Sequence, residues 1–570
     1  MADDEKIVGI DLGTTNSLVA VFEPGGPRLI PNKHGELLTP SVVGYDDKGA
    51  VMVGQAAKYR LTTHPEKTAA RFKRHMGTNR GISLGKKMFR AEELSALVLR
   101  SLKDDAEADL GEPINHAVIS VPAYFNDVQR KATQAAAELA GLNVARLINE
   151  PTAAALAYGV EDRTAEHRFL VLDLGGGTFD VSILEMFSGV MEVRASSGDA
   201  FLGGEDFTDA LAAHFAAQLG VKAGDMEAED RARLRRLADS IKHRLSGVAE
   251  AKAEFAYKKK THTLVCSRGT FDEITGPILK RLRLPIQRAV SDAGLRSDAF
   301  DRIIAVGGAT RMPAVRALAT RMFDRFPEFS IDPDHVVAMG AAVQAGLAQR
   351  HEALEDVVMT DVAPFTLGFE TGVQVGEHQF ERGHFSPLIE RNTVIPVSRA
   401  DTVHPLERGQ TAIVIRVYQG ESPFVRDNAL LGSLNVPIPY NKKEHEAVDV
   451  RYTYDNSGLL EVVAKVVSND KTFRLVIEGN PGAMTASEIA ERLKALSKLK
   501  IHPRDKQENT AFIARLTAAY ENCLGDERTR IQGLIAEFQK ALSTQDERHV
   551  AEVRAAIEPI LSRLENFDVL

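Results

Sequence analysis

Two glycine-containing turns of the same kind constrain the fold of this chain more than any other feature of its sequence. The first lies in KIVGIDLGTTNSLVAVF, from Lys6 to Phe22, and the second lies in FLVLDLGGGTFDVSIL, from Phe169 to Leu184. In each segment an apolar run leads into the turn and another leads out, which predicts a β-hairpin. Because the unit occurs twice, the sequence predicts two related lobes that each present one turn.

Both turns carry residue types that suit a phosphate group and a hard metal ion. Successive glycines leave backbone N–H groups open to an anion, and carboxylates beside a phosphate favour Mg²⁺. The carboxylates are Asp11 in the first turn and Asp173 and Asp180 around the second. Either turn alone could be a hairpin whose aspartates only cap it. Two such turns that converge could hold both ends of a polyphosphate, so the repetition favours a nucleotide site.

Three further segments are ambiguous when they are taken alone. FDRIIAVGGATRMPAVRAL places Gly307 and Gly308 between a strand and a helix, where a nucleoside or a phosphate group would bind. Glu150 stands just ahead of a predicted helix, as an N-terminal cap or as a carboxylate that reaches a cation. The pair Lys73 and Arg74 ordinarily indicates a solvated helix face.

Charge and composition exclude several classes of function. The net charge is −9 and the pI is about 6.0, so no overall positive field attracts nucleic acid. Cys266 and Cys523 are too widely separated to indicate a disulfide framework or a zinc site. The N-terminus does not resemble a signal peptide, and no run of about 18 apolar residues could span a membrane. We therefore expect a cytoplasmic protein with neither a nucleic-acid nor a membrane partner.

The periodicity of apolar residues changes twice along the chain. Period-two alternation with turn signals from Val362 to Gly479 predicts an antiparallel β domain, and helical spacing from Thr485 onward predicts a small bundle. The predicted domains are a nucleotide-binding domain (1–353), a linker (354–361), a β domain (362–482) and a helical domain (483–570).

A series of motifs resembles those of the seventy-kilodalton heat-shock (DnaK-type) chaperones. In order, they are IDLGTTNS, VPAYFND, INEPTAAALAYG, DLGGGTFD, LGGEDF and VGGATRMP. The resemblance covers residues 5 to about 480, and the short C-terminus is most similar to the bacterial HscC subgroup. It implies a multidomain α/β plus β plus α fold, with an actin/hexokinase-like two-lobed ATPase domain, a β-sandwich peptide-binding domain and a short helical bundle in place of a full lid.

The same resemblance implies an ATP-dependent chaperone that binds extended apolar polypeptides under the control of ATP hydrolysis. Its ligands would be ATP or ADP and Mg²⁺, with K⁺ as a further candidate ion. The implied catalytic residues are Lys73, Glu150, Asp173, Thr178 and Asp180. Asp11 and Asp173 would hold Mg²⁺, mostly through water. The implied ATP contacts are Gly13, Thr14, Thr15, Gly175, Gly176, Gly177, Gly204, Lys242, Ser246, Gly307, Gly308, Arg311 and Asp334.

Residues of two further kinds match positions in the family. The implied allosteric relay between the domains consists of Pro122, Arg130, Arg146 and Asp361, and Arg146 also matches a position that contacts J-domain co-chaperones. The implied peptide-binding residues are Phe369, Thr371, Gly372, Leu406, Ile413 and Ile415. His243 stands where some relatives stack an arginine on adenine, and Gly372 stands where the family builds an arch over the peptide.

The chain departs from the family pattern in three places. It is shorter between Lys73 and Pro122 and around Ala251 to Arg268, in the outer lobes where an exchange factor docks, so we expect nucleotide exchange that needs no such factor. Thr360 stands in the linker where relatives carry leucine, which predicts weaker docking of the linker. The short C-terminal region predicts fast peptide exchange and few clients.

Two alternatives remain open from the residues alone. A small-molecule kinase of the actin and hexokinase superfamily shares the two phosphate turns, and so does an actin-like filament ATPase. Neither alternative explains a β domain that follows a short linker.

Overall fold

The computed structural model describes residues 5–46, 48–159, 167–187, 190–349, 358–374, 380–441, 445–455, 458–477, 507–522 and 525–567. The predicted domain boundaries near residues 353 and 482 lie outside this part of the chain, and so does Cys523. Ile489, Leu493 and Leu496, which share one face in the helical spacing predicted from Thr485 onward, also lie outside it. Within the described residues, no helix combines the length and apolarity that crossing a membrane requires.

The first lobe comprises residues 5–159. Its strands are β1 (Ile7–Asp11), β2 (Asn16–Glu23), β3 (Gly26–Ile30), β4 (Thr39–Pro40), β5 (Val42–Tyr45), β6 (Val51–Val53), β7 (Thr68–Ala70), β8 (Ile82–Leu84), β9 (Lys87–Phe89), β10 (His116–Val121) and β11 (Asn143–Asn149). Its helices are α1 (Gln55–Thr63), α2 (Ala91–Leu110), α3 (Asp127–Leu139) and α4 (Glu150–Gly159). The central sheet runs β11-β10-β1-β2-β3, and β4 also pairs with β2.

The second lobe comprises residues 167–334, and one further helix follows it. The strands are β12 (His167–Leu174), β13 (Phe179–Phe187), β14 (Val190–Asp199), β15 (Glu250–Tyr257), β16 (Lys260–Ser267) and β17 (Arg302–Val306). The helices are α5 (Gly204–Gln218), α6 (Ala228–Leu245), α7 (Arg268–Asp292), α8 (Pro313–Phe323) and α9 (Val336–Ala348). Asp334 lies in the turn before α9.

The two lobes repeat one arrangement of strands, which confirms the predicted hairpins. In the first lobe β1 pairs antiparallel with β2 and parallel with β10. In the second lobe β12 pairs antiparallel with β13 and parallel with β17. Each glycine-containing turn therefore lies at the same edge of its own central sheet.

Helices α4 and α9 pack between the two sheets and join the lobes through a shared apolar core. The contacts depend on small residues. A Cβ atom at Gly340 of α9 would lie 2.9 Å from the Cα atom of Ala153 in α4, and a Cβ atom at Gly9 of β1 would lie 2.7 Å from the Cα atom of Ala342. Because contacts under 3.0 Å are essentially never seen for a Cβ atom, both positions require glycine.

The β domain is a sandwich of two four-stranded antiparallel sheets, as the alternation predicted. The strands of this region, with the linker strand first, are β18 (Val358–Val362), β19 (Leu367–Gln374), β20 (Phe380–Ile389), β21 (Val394–Ile395), β22 (Val397–Val403), β23 (Ala412–Gln419), β24 (Ala429–Pro437), β25 (Val448–Tyr454), β26 (Leu460–Val466) and β27 (Thr472–Ile477). Strands β18 and β21 extend the sheet of the second lobe and are not part of the sandwich. The sheets run β20-β19-β23-β24 and β22-β25-β26-β27.

The linker strand β18 connects the sheet of the second lobe to the β domain. It pairs parallel with β14 and antiparallel with β21. Residues 358–361, which belong to the predicted linker, form a strand that also serves as the connection.

The C-terminal helices form a small bundle, as predicted from their apolar stripes. They are α10 (Gln507–Asn522), α11 (Gly525–Ser543) and α12 (Glu547–Phe567). Phe512, Phe538 and Leu561 lie in its core, and the rings of Phe512 and Phe538 meet edge to face at 4.9 Å.

Candidate functional site

The two glycine-containing turns face each other at contact distance. A Cβ atom at Gly177 would lie 2.7 Å from Thr14 Oγ1, and a Cβ atom at Gly176 would collide with Thr15 Oγ1. Only glycine at these positions lets the threonine side chains of the first lobe lie against the backbone of the second. The predicted convergence of the turns is therefore present in the structure, with Thr14 buried between them.

Carboxylates line the base of the cleft between the turns. Asp173 and Asp180 are buried and face each other across the β12–β13 hairpin, and each has one Oδ2 atom with no hydrogen-bond partner. Asp11 accepts a 2.7 Å hydrogen bond from the hydroxyl of Ser120. Burial, reinforced by the charge of Glu150, raises the pKa of Asp11 to about 7 and the pKa of Asp180 to about 8, and it raises the pKa of Asp173 well above its usual value.

Buried carboxylates in this arrangement would be stabilised by a bound cation. Buried carboxylate oxygens without a partner cost free energy unless a positive charge or a donor meets them. Within the part of the chain that the structure describes, no three His, Cys, Asp or Glu side chains are close enough together to ligate one metal ion directly.

Lys73 is buried, so the ordinary expectation of a solvated lysine is wrong here. It lies on a short 3-10 helix (Phe72–His75), only 3% of its surface is exposed, and its Nζ atom donates a 2.6 Å bond to Glu150 Oε1. Its ammonium group also lies 5.7 Å from the centre of the Phe125 ring. Glu150 is the first residue of α4 rather than the residue before it, and its carboxylate is directed to the cleft instead of capping the helix.

The predicted nucleoside contacts gather on the second lobe. Lys242 on α6 donates to the carbonyl of Gly204 at 3.2 Å and to Thr208 Oγ1 at 2.7 Å. The carbonyl of Gly175 accepts a 2.9 Å bond from the backbone N–H of Gly204, so the phosphate turn and the start of α5 are joined. Ser246 directly follows the last residue of α6.

The third glycine junction lies beside these residues. Gly307 has a φ of 78°, which only glycine adopts readily, and it precedes a 3-10 turn (Gly308–Arg311) and then α8. A Cβ atom at Gly308 would lie 2.8 Å from Asp334 Oδ1, and Arg311 donates to Asp334 Oδ2 at 3.0 Å. A Cβ atom at Gly204 would lie 3.1 Å from that of Ala309, so this junction and the start of α5 form adjacent walls.

Comparison with known proteins decides the family. A sequence model of the Hsp70 protein family matches residues 7–81 and 79–566. The chain is also 38% identical to the chaperone protein DnaK of Thermotoga petrophila and to that of Thermotoga maritima, over 95% of this chain and 94% of each relative. The chain belongs to the Hsp70 family. It is therefore an ATPase that binds ATP and ADP and acts as an ATP-dependent chaperone, and the kinase and filament alternatives are not favoured.

Several sequence-predicted residues of this Hsp70 chain connect the cleft to the linker. Pro122 begins a loop in which the backbone N–H of Tyr124 donates to Asp180 Oδ1 at 2.9 Å. Arg130 donates to the carbonyl of Phe125 at 3.0 Å and to Asn149 Oδ1 at 2.6 Å.

Asn149 completes this path. Its amide donates to Asp361 Oδ2 of β18 at 3.3 Å, and burial raises the pKa of Asp361 while the nearby charges of Arg130 and Arg146 lower it. Asn149 was not among the predicted relay residues, although it directly precedes Glu150 in INEPTAAALAYG.

In the β domain the structure brings together only some of the predicted peptide-binding residues. Ile413 and Ile415 share one face of β23, but Ile415 is buried in the core of the sandwich together with Phe369. Gly372, which follows Thr371 on β19, lies against Leu406. A Cβ atom at Gly372 would lie 2.9 Å from Leu406 Cδ2, so the glycine leaves room for the leucine.

A cluster of charged residues bridges the two lobes near the turns, and no pattern in the sequence predicted it. Arg74 of the first lobe donates to Asp206 of α5 at 2.6 Å and to the carbonyl of Gly176 at 3.4 Å. Arg71 lies 3.4 Å from Asp209 and 3.9 Å from Glu205.

Arg235 of α6 completes this inter-lobe cluster. It pairs with Glu205 and lies 2.6 Å from Asp209. The Oε1 atom of Glu205 also lies 3.4 Å from the hydroxyl of Thr15, so the cluster reaches the first phosphate turn.

Proposed function

We propose that this Hsp70 chain cleaves ATP between the Thr14–Thr15 turn and the Gly175–Gly177 turn, and that cleavage controls whether the linker strand stays on β14. One observation above all supports the proposal: the two turns contact each other beside the buried carboxylates of Asp173 and Asp180, each of which has one oxygen atom without a hydrogen-bond partner. Phosphoryl transfer depends on positioning and charge neutralisation more than on covalent chemistry, and this cleft offers both.

Asp11 and Asp173 would hold Mg²⁺ through water, with Glu150 near the same shell. The ion would neutralise charge on the phosphate oxygens. The buried and unpaired Oδ2 atom of Asp173 is the observation that fits this role, because a carboxylate in that position needs a positive partner. A separate site for K⁺ is a further proposal.

Lys73, Thr178 and Asp180 would surround the attacking water. Lys73 is fixed by Glu150 at 2.6 Å, so its ammonium group can orient an oxygen without reorganising. Asp180 keeps one oxygen on the N–H of Tyr124 and has its Oδ2 atom free to accept the proton of a water molecule. The hydroxyl of Thr178 would donate to the same water.

The cleft and the linker would be coupled through Tyr124, Arg130, Asn149 and Asp361. A change in charge at Asp180 would alter the strength of its hydrogen bond with the Tyr124 N–H. From the loop that carries Tyr124, further hydrogen bonds run through Arg130 and Asn149 to Asp361 of the linker strand. We propose that ATP favours the docked linker with an open peptide site, and that hydrolysis releases the linker and traps the peptide. Such coupling requires contacts that differ between the two states. The Asn149–Asp361 bond would be one such contact, because it would form only while the linker is docked.

The finer features of partner binding remain proposals. Extended apolar polypeptides would bind the β domain near Ile413, Thr371 and Leu406 through main-chain bonds and one buried side chain. A J-domain co-chaperone would act near Arg146, and an exchange factor would not be required. We also propose the domain limits 1–353, 354–361, 362–482 and 483–570, membership of the HscC-like subgroup with few clients, and a cytoplasmic location.

Replacing the buried lysine tests the proposed chemistry most simply. In Lys73→Ala we expect ATP turnover to fall by at least about 100-fold while ATP still binds, because the residue positions the attacking water rather than the nucleotide. Single-turnover hydrolysis and equilibrium binding of a fluorescent ATP analogue would measure both quantities.

The matched control is Lys86→Ala, since Lys86 is an exposed lysine on the small β8–β9 hairpin. It should leave both quantities unchanged. Undiminished turnover in Lys73→Ala would overturn the assignment of Lys73.

A further inference from the structure

The turn between α11 and α12 is a rigid projection of the C-terminal bundle. Asp546 caps α12 through its Oδ1 atom, which accepts from the N–H groups of Arg548 at 3.0 Å and His549 at 3.3 Å. Thr544 Oγ1 donates to the carbonyl of Ala541 at 2.7 Å. Gln545, at the tip, has a φ of 57° and points out of the bundle toward the β domain. Thr544 and Asp546, on either side of Gln545, therefore hold the backbone from which the Gln545 side chain projects.

Gln545 pairs with the main chain of an edge strand. Its Nε2 atom donates to the carbonyl of Ala400 at 2.7 Å, and its Oε1 atom accepts from the N–H of Ala400 at 3.1 Å. Strand β22 lies at the edge of its sheet, so these two groups face away from β25. A primary amide offers the donor and the acceptor that an unpaired peptide unit needs. The bundle is thus attached to the β domain.

Three residues later, in the first turn of α12, the chain contacts the ATPase. Arg548 Nη1 lies 2.9 Å from Glu192 Oε1 on β14, and Glu192 is largely buried, with 14% of its side chain exposed. In the pairing of β14 with β18, Glu192 is the register partner of Thr360 in the linker strand. Arg548 therefore binds the second lobe at the position where the linker docks.

These two contacts require opposite parts of the molecule to be close together. Gln545 contacts the β domain and Arg548 contacts the ATPase, although only a few residues of the bundle separate them. Both contacts are present while β18 lies on β14. If undocking of the linker lets the β domain and the bundle move away from the second lobe, the contact with Glu192 is lost. Thr360 Oγ1 is buried without a partner among the described residues, which costs free energy when the linker strand docks. Additional contacts such as the one at Glu192 can offset that cost.

We propose that the C-terminal bundle of this chain acts as a brace that stabilises the docked linker through the Arg548–Glu192 ion pair. This inference rests on the proposed coupling between nucleotide and linker. The bundle then contributes to allosteric control from the side of the second lobe.

Hydrogen exchange of the linker amides in the full chain with ATP tests the brace. In Arg548→Ala the amides of residues 358–362 should exchange about two- to fivefold faster, the range expected when one partly exposed ion pair is lost. Gln545→Gly removes the amide contact without straining the left-handed backbone, and it should act in the same direction. Exchanging the charges, with Glu192→Arg and Arg548→Glu together, should slow exchange relative to either single change.

Arg554→Ala is the matched control, because Arg554 lies on the same helix but pairs with Glu508 and Asn509 inside the bundle. It should leave linker exchange unchanged. Wild-type exchange in Arg548→Ala, while ATP still protects the linker of the wild-type chain, would overturn the brace alone. If ATP failed to change linker exchange in the wild-type chain, the proposed coupling itself would be wrong.

Discussion

At the scale of single residues, the site depends on charges that are buried in pairs and held in place. Lys73 and Glu150 are both almost fully buried and lie 2.6 Å apart. Removing one partner of such a pair leaves an uncompensated charge, which is strongly destabilising, whereas the intact pair adds little to stability. The pair is therefore better explained by the positioning of a reactant than by the stability of the fold.

The buried aspartates predict a dependence of stability on pH. Their pKa values in the folded chain are raised to about 7 for Asp11 and about 8 for Asp180, against 3.8 as the ordinary value. The folded chain therefore holds more protons than the unfolded chain between about pH 4 and pH 8, and the free energy of unfolding should fall as pH rises through that window. Without nucleotide and metal, calorimetry should give a lower Tm at pH 8 than at pH 6.

The variant Asp180→Asn isolates this effect, since it removes one titrating group and keeps the shape of the side chain. Its Tm should change less between pH 6 and pH 8 than the Tm of the wild-type chain. Identical pH dependence in the two proteins would contradict the assignment of a raised pKa to Asp180.

The sequence predicted the hairpins but not the burial of Lys73. Alternating apolar runs around a glycine turn are a local pattern, so β1–β2 and β12–β13 could be read directly. The environment of Lys73 depends on Glu150, far away in the sequence, and no local pattern encodes that contact. Only the resemblance to a family pointed to Lys73 as a site residue.

At the scale of elements, the inter-lobe cluster connects the start of α5 and the helix α6 to the short helix that carries Lys73. Arg71 has a φ of 61°, an uncommon conformation for arginine, and its guanidinium reaches Asp209 and Glu205 across the cleft. Such contacts join elements that are distant in sequence, so neither composition nor periodicity could reveal them. The cluster opposes the separation of the lobes through which nucleotide would leave.

Loss of Arg71 should therefore speed the release of nucleotide. In Arg71→Gln we expect ADP to dissociate about two- to fivefold faster, and we expect the rate to depend less on salt, because exposed ion pairs contribute about 0.2–1 kcal/mol and are screened. Stopped-flow release of a fluorescent ADP analogue at low and high salt measures this.

Arg28→Gln serves as the comparison. Arg28 pairs with Asp109 at 2.8 Å with similar exposure, but both residues belong to the first lobe. This change should not alter release. If Arg71→Gln and Arg28→Gln release ADP at the same rate, the cluster does not hold the lobes together.

At the scale of the whole molecule, the β domain lies against the ATPase through several polar contacts besides the linker strand. Arg391 of the β domain binds Asp292 of α7 at 2.9 Å, and Gln419 accepts a 2.9 Å bond from the backbone N–H of Asp127. The rings of Tyr124 and Phe365 meet at 4.6 Å. Tyr124 therefore contacts both the cleft, through Asp180, and the β domain, which places the two sites in one connected structure.

The sequence could predict the order of domains but not how they pack. The changes in periodicity near residues 362 and 485 separate α/β, β and α regions without reference to three-dimensional contacts. The docking of β18 on β14 and the contact of Arg548 with Glu192 depend on the relative placement of the domains. That placement depends on contacts between residues far apart in the sequence, and no repeating pattern of residues marks them.

The central claim is that one nucleotide held between the two turns governs the binding of polypeptide, and peptide release measures it most directly. A labelled extended apolar peptide bound to the full chain should be released faster when ATP is added, by at least about tenfold, as followed by fluorescence anisotropy. In Lys73→Ala, ATP should still release the peptide, but the peptide should not be trapped again, because hydrolysis is blocked. Peptide release that ATP does not change, in a folded chain that still binds ATP, would contradict the account.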